Sequence, residues 1–217
     1  MKPLKINNSK IFFHNDDIPE NLIPGDIISI DTETTGLSLQ RDRLCLVQIC
    51  FENKDCHLIK LNNKQNNSST VPKHLLKILS NKEIEKIFHY ARFDLAFIKK
   101  ELKIKCENIF CTKISSRLVR TYTDRHGLKD LIKDLLEIDI SKSQQSTDWA
   151  SQNLTDNQLS YAARDVLYLH ELRNKLILML KREGRFDLAK KIFNFLNVRT
   201  DLDILGWEKE DIFSHSH

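Results

Sequence analysis

The sequence lacks any run of about 18 apolar residues, the length that a membrane-spanning helix requires. Its first ten residues, MKPLKINNSK, also lack the apolar stretch of a secretory signal. Five cysteines are present, an odd number without a CxxC pair, which argues against a disulfide framework and against a structural zinc site. We therefore expect a cytoplasmic protein that has reduced thiols and does not associate with membranes.

The composition is that of a globular protein, with 41% hydrophobic and 29% charged residues. A chain of 217 residues is long enough for one substantial core and short for two, so a single domain is the default. The net charge of +4 is compatible with a polyanionic partner, although many proteins without such a partner are as basic. No internal repeat of fixed period is present.

The order of predicted elements indicates a mixed α/β fold. Strand patterns occupy residues 11–14, 26–34, 44–51 and 56–60, and short apolar segments at 86–89 and 108–111 fit further strands. Helical patterns begin at Pro72, and loops are predicted at 61–70 and 139–147. Thr155 and Gln158 have the spacing of a capping box, which predicts a helix that continues to about Leu180.

Asp31 and Glu33 follow an apolar segment, IISI, which has the character of a buried central strand. Residues two apart on a strand point to the same side, so the two carboxylates can share a metal ion. Composition alone yields roughly one Asp-x-Glu triplet in a chain of this kind. Taken alone, the pair is therefore equally compatible with two solvated acids at a strand end.

Two further segments place acids where a strand ends or on a helix face. Asp94 falls in the first turn of a helix predicted to begin near Ala91, where an acid also stabilises the helix dipole. Tyr161 and Asp165 lie four apart on the last long helix, on one face, a pattern that an ordinary amphipathic helix shares. Several hard oxygen ligands of this kind are what two divalent cations need.

Together these segments resemble the motifs of the DEDD superfamily of 3′-to-5′ exonucleases. The Tyr-x-x-x-Asp form of the third motif places the chain with the DEDDy branch, since Ser160 stands where the DEDDh branch has histidine. The chain is most similar to the bacterial ribonuclease D family in a short form, from about Ile27 to Arg173. Supporting segments are FHYARFDLAFI, CTKISSRLVRTYTDRHGLKDL, SKSQQSTDW and LSYAARDVLYLHEL.

This resemblance implies an RNase H-like α/β fold, a mixed sheet of about five strands flanked by helices. It implies an exonuclease domain over residues 1–180 and a C-terminal helical extension, 181–217, packed on the same domain. Longer ribonuclease D proteins add helical HRDC domains, for which we expect no room in this chain.

The resemblance and the residue types lead to one two-metal scheme. Asp31, Glu33 and Asp165 would hold one Mg²⁺ or Mn²⁺ ion, and Asp31 with Asp94 would hold a second. Tyr161 is a poor base because its ordinary pKa is near 10, so we assign it to orienting the attacking water.

Five further residues are predicted to bind the substrate. Three would contact the terminal nucleotide by backbone hydrogen bonds, stacking or wedging, a histidine would have a supporting role, and an arginine in a basic stretch would track the phosphate backbone. Each has an alternative interpretation. Apolar side chains next to such motifs more often belong to the core, and a histidine at a strand end is more often packed or solvent-facing than functional. The basic stretch 117–129 also fits a solvated helix end and loop. These predicted contacts are Thr34, Leu37, His89, Phe93 and Arg120.

The expected partner is the 3′ end of single-stranded RNA, such as a tRNA precursor or another structured RNA tail. Two alternatives stay open: a DNA 3′-to-5′ exonuclease, because one metal site serves either sugar, and a nucleic-acid-binding module without turnover. No feature of the sequence indicates an oligomeric state.

Overall fold

The computed structural model describes residues 4–6, 9–62, 71–140 and 148–215. Most of the two predicted loops, and the residues SKSQQST of the segment SKSQQSTDW, lie outside this part. The strands are β1 Leu4–Ile6, β2 Ser9–Asn15, β3 Ile27–Thr34, β4 Leu44–Phe51, β5 Cys56–Lys60, β6 Glu85–Phe88 and β7 Ile109–Cys111. The helices are α1 Lys73–Ser80, α2 Ala91–Leu102, α3 Thr112–Val119, α4 Leu128–Leu136, α5 Asp156–Leu167, α6 Leu169–Arg182 and α7 Phe186–Leu202, followed by a π-helical turn at Asp203–Trp207.

The strands form one mixed sheet in the order β1-β2-β5-β4-β3-β6-β7. β3, at its centre, pairs antiparallel with β4 and parallel with β6. The predicted α/β class and mixed sheet are confirmed, but the described sheet has seven strands instead of about five. The strand that no pattern indicated is β1, which pairs with β2 and packs Leu4 and Ile6 against a hydrophobic cluster.

Two hydrophobic clusters fill the molecule, one on each face of the sheet. On one face, alternate residues of β3 such as Ile28 and Ile30 pack with buried residues of α1, α2 and α6. On the other face, Leu46 and Leu58 pack against Ala162 and Val166 of α5. Strand residues therefore alternate between the two clusters, and this alternation decides which helix each side chain of β3 meets.

The single helix predicted from Thr155 to about Leu180 is wrong, because it breaks at Tyr168 into α5 and α6. The buried residues of α5 belong to the cluster on its own face, whereas the leucines of α6 belong to the cluster on the opposite face. A straight helix cannot lie on both faces of a sheet. The predicted capping box at the start of α5 is present, with both Thr155 and Gln158 making their bonds.

The remaining predictions about chain class concern cysteines and membranes. All five cysteines lie in the described part of the chain, where they are buried and no disulfide joins them. Within the described ranges, no helix combines the length and the apolar character needed to cross a lipid bilayer.

Candidate active site

Three carboxylates meet where the C-terminal half of β3 faces α5. Asp31 and Glu33 lie on the α5 side of β3, and Asp165 extends from the helix toward them. One oxygen atom from each of the three carboxylates lies within 4.8 Å of the corresponding atoms of the other two. The period of two along the strand and the single face of the helix bring these three residues together, as predicted. Their oxygens can hold a divalent cation.

Asp94 approaches the same place from the other side of the strand. It lies in the first turn of α2 and is only 2% exposed. Its Oδ1 atom accepts a hydrogen bond of 2.7 Å from the Oγ1 hydroxyl of Thr32, which points away from α5. In the sequence alone, Thr32 stands out only as the spacer between Asp31 and Glu33. The alternation of side chains was the available signal, since it places Thr32 on the α2 side.

Burial raises the pKa of every one of these acids, and repulsion between them adds to the effect for Asp31, Glu33 and Asp94. Burial raises the pKa of Glu33 to about 9, and the charges of Asp165 and Asp94 add to the effect. Asp31 has its pKa raised well above the usual range by burial and then by its three acidic neighbours. Burial also raises the pKa of Asp94 and that of Asp165 to about 7. A bound cation would reverse this repulsion, so the group fits a metal site.

Tyr161 stands one helical turn before Asp165 and is half-buried. Its ring packs beside Trp149, with the ring centroids 6.2 Å apart. Burial, followed by the charges of Asp165 and Glu33, raises the pKa of the phenol, so the hydroxyl keeps its proton. A hydrogen bond from this hydroxyl also favours the ionised form of Asp165. Tyr161 is therefore a hydrogen-bond donor at this site.

Leu37 and Phe93, two of the predicted substrate contacts, line one cavity of about 280 Å³. Leu37 is 82% exposed, an unusual position for a leucine, whereas Phe93 is half-buried and packs against Phe97. Residues of the C-terminal segment, including Asp203 and the residues at 208–209, complete the wall. The lining therefore combines apolar side chains with charged ones, as ligand sites commonly do.

The other predicted contacts make bonds within the protein. The hydroxyl of Thr34 donates to the carbonyl of Gly36, at 2.6 Å. The ring of His89 hydrogen-bonds to the Thr112 hydroxyl at 2.9 Å, and burial lowers the pKa of His89 to about 3, so the ring stays neutral.

Arg120 does not join the acidic cluster. It is 2% exposed, and its guanidinium pairs with Asp134 and donates to the carbonyl of Arg125. A guanidinium that is buried and already bonded is not offered to a substrate phosphate. We therefore withdraw Arg120 from the predicted contacts, because its partner on α4 holds it inside the fold.

A mixed sheet that gathers four carboxylates and a tyrosine hydroxyl over its central strand defines a metal-dependent hydrolase site. Comparison with known proteins identifies the family. A family model described as 3′-5′ exonuclease matches residues 13–181, a range that contains all five predicted catalytic residues. The chain belongs to this 3′-5′ exonuclease family.

Two solved structures of NrnC are similar to this chain over almost its whole length. The structure of Brucella melitensis NrnC bound to pGG is 45% identical, with a TM-score of 0.89, and the match covers 95% of this chain and 98% of that one. NrnC with bound Mg²⁺ is 44% identical, with a TM-score of 0.88 and coverage of 95% and 99%. These matches confirm the RNase H-like exonuclease fold.

The resemblance to ribonuclease D is also confirmed. Ribonuclease D of Gluconacetobacter diazotrophicus is 29% identical over 170 residues. The match covers 78% of this chain but only 42% of that protein, so the chain spans less than half the length of this relative.

Proposed function

We propose that this protein removes nucleotides from the 3′ end of RNA by hydrolysing the terminal phosphodiester bond with two divalent cations. The observation that carries the proposal is the convergence of Asp31, Glu33 and Asp165 within 4.8 Å in a member of a 3′-5′ exonuclease family. Asp94 and Tyr161 stand beside this group and supply the remaining oxygen atoms of the site.

The site residues have two roles: the four acids would hold the cations, and Tyr161 would position the attacking water. Asp31, Glu33 and Asp165 would hold one ion, and Asp31 with Asp94, through water, would hold the other. Bound divalent ions supply Lewis acidity, which makes water acidic enough to attack and stabilises the leaving 3′ oxygen. Tyr161 keeps its proton, which it donates to Asp165 in the metal-free site. With Asp165 turned to the cations, the hydroxyl would donate to the attacking water instead and so orient it.

The ligand set favours Mg²⁺ or Mn²⁺. All four acids offer hard oxygen atoms, whereas zinc prefers nitrogen and sulfur. The bound Mg²⁺ in the NrnC structure supports the same choice for this chain.

The substrate we favour is RNA, and among RNAs a short one. The similarity to NrnC bound to pGG, a name that denotes two guanosine nucleotides with a 5′ phosphate, extends over nearly the whole chain. In this chain, Leu37 and Phe93 line a cavity that can receive a base by stacking or wedging. The backbone of Thr34 would hydrogen-bond to the terminal nucleotide. The neutral ring of His89 would help to hold the C-terminal end of β6 in place beside it. Longer tRNA-like tails, the expectation from ribonuclease D, form the second candidate, supported by the 29% identity to that enzyme.

A panel of 5′-labelled oligonucleotides tests the proposal. RNA and DNA of two, five and about twenty nucleotides are incubated with Mg²⁺, with Mn²⁺ or with a chelator. We expect metal-dependent shortening from the 3′ end, fastest for the shortest RNA, and loss of activity in Asp31→Ala and Asp165→Ala. Asp187→Ala, an exposed acid at the start of α7, serves as the matched control and should behave as wild type.

Each alternative gives a different pattern in this panel. Faster cleavage of every DNA substrate would favour a DNA exonuclease. Binding without cleavage under any condition would favour a nucleic-acid-binding module. Cleavage that persists in Asp31→Ala or Asp165→Ala would refute the site assignment.

A further inference from the structure

Gln48 is a buried polar residue that the catalytic scheme leaves without a role. It lies in the middle of β4, is 0% exposed and stands directly opposite Asp31 in the pairing of β3 with β4. Neither its Nε2 nor its Oε1 atom has a hydrogen-bond partner among the described residues. A buried carboxamide that makes no hydrogen bond is costly, so its retention at this position calls for a reason.

The surroundings of Gln48 offer its side chain few polar directions. The residues on either side of it along the same face of β4 are Leu46 and Cys50, and its partner on β5 is Leu58. The covering helix α5 contributes alanine and valine side chains to this cluster. β3 is the neighbour of β4 on its other side, and the residue of β3 that pairs with Gln48 is Asp31. Side chains directly opposite on adjacent strands have Cβ atoms about 4.5–5.5 Å apart, within reach of a glutamine amide.

We propose that Gln48 is a positioning residue for Asp31. When cations occupy the site, the Nε2 group of Gln48 donates a hydrogen bond to the Asp31 carboxylate. This bond fixes the orientation of the oxygen atoms that face the cations. The inference rests on the proposed metal-dependent function, since it gives the amide its partner only in the loaded enzyme.

The chemistry of the amide suits this task better than the alternatives. A lysine would neutralise Asp31 and compete with the cations, whereas a glutamate would add charge to four acids that already repel one another. An apolar side chain would leave Asp31 with the backbone donor at Thr32 and no side-chain donor from β4. A neutral donor holds the carboxylate and leaves its charge for the metal, as hydrogen bonds to metal-binding carboxylates commonly do.

Gln48→Met separates this role from simple packing. Methionine has a similar unbranched shape and no amide, so a residue that only fills space would tolerate the change. We expect calorimetric titration with Mg²⁺ and with Mn²⁺, in the absence of substrate, to show binding about 10–100-fold weaker than in wild type. Thermal unfolding in a chelator should show equal or higher stability, because the variant removes an unpaired buried amide.

Leu58→Met is the matched control, because it makes a similar change on the side of Gln48 away from Asp31. Its metal affinity should equal that of wild type. Equal metal affinity in Gln48→Met and wild type would overturn the inference. If Gln48→Met does not fold, Gln48→Leu takes its place under the same criteria. If the wild-type protein binds neither ion, the proposed function is refuted, and this inference with it. That outcome is distinguishable because it needs no mutation to appear.

Discussion

The four buried acids of the site should lower the free energy of unfolding of the metal-free protein. The substitution Asp165→Asn, which removes one of these charges, tests this directly. Burial raises the pKa of Asp165 from 3.8 to about 7. At about 1.36 kcal/mol per pKa unit, the ionised carboxylate costs the folded state roughly 4 kcal/mol. Because the neighbouring acids can adjust their own protonation, we expect the neutral asparagine to recover about 2–4 kcal/mol at pH 8.

The sign of the pH dependence follows from the direction of the shift. The folded protein holds the proton of Asp165 more tightly than the unfolded chain does, so folding is favoured at low pH. Stability is then lost as the pH rises from about 4 toward 7 and changes little above that. The gain from Asp165→Asn should accordingly be roughly 1–2 kcal/mol at pH 5, about half of its value at pH 8.

Urea unfolding in the presence of a chelator, at pH 5 and at pH 8, measures both quantities. Asp124→Asn is the control, since this exposed acid lies between α3 and α4 and should change stability by less than about 0.5 kcal/mol. A gain that is absent at pH 8, or equal at the two pH values, would refute the idea that the buried charge of Asp165 destabilises the metal-free fold.

Three other substitutions test particular contacts. Thr32→Val removes the hydrogen bond to buried Asp94, so we expect a loss of about 1–3 kcal/mol in urea unfolding together with a lower kcat. Asp203→Ala leaves Arg92 without its bidentate partner and should cost about 3–5 kcal/mol, with faster proteolytic trimming of the C-terminal segment as a second measurement. Thr155→Ala removes the cap of α5 and should lower the free energy of unfolding by about 1 kcal/mol while a metal titration shows little change.

Predictions from the sequence succeeded where a short-range rule determines the outcome. The period of a strand put Asp31 and Glu33 on one side, and the capping box marked the start of α5. Both rules act within a few residues, so a single sequence is enough to apply them.

Predictions failed where the outcome depends on distant partners. The leucines after Tyr168 continue a helical pattern, and nothing in that pattern says that they pack on the opposite face of the sheet. Arg120 looks like an exposed cation in a basic stretch, but its partner Asp134 stands a helix further along the chain. Local charge and periodicity do not determine such long-range contacts.

The treatment of buried acids elsewhere in the chain explains why the site calls for a cation. Asp203 is as buried as Asp94, at 2% exposure for each, and the fold supplies it with the guanidinium groups of Arg92 and Arg199. Within the described residues, no ion pair involves Asp94 or the other three acids of the site, although the chain has a net charge of +4. Positive side chains are therefore available to this protein and are used where an acid is structural. At the active site the compensating charge is left to come from outside the chain, as the proposed divalent ions would provide it.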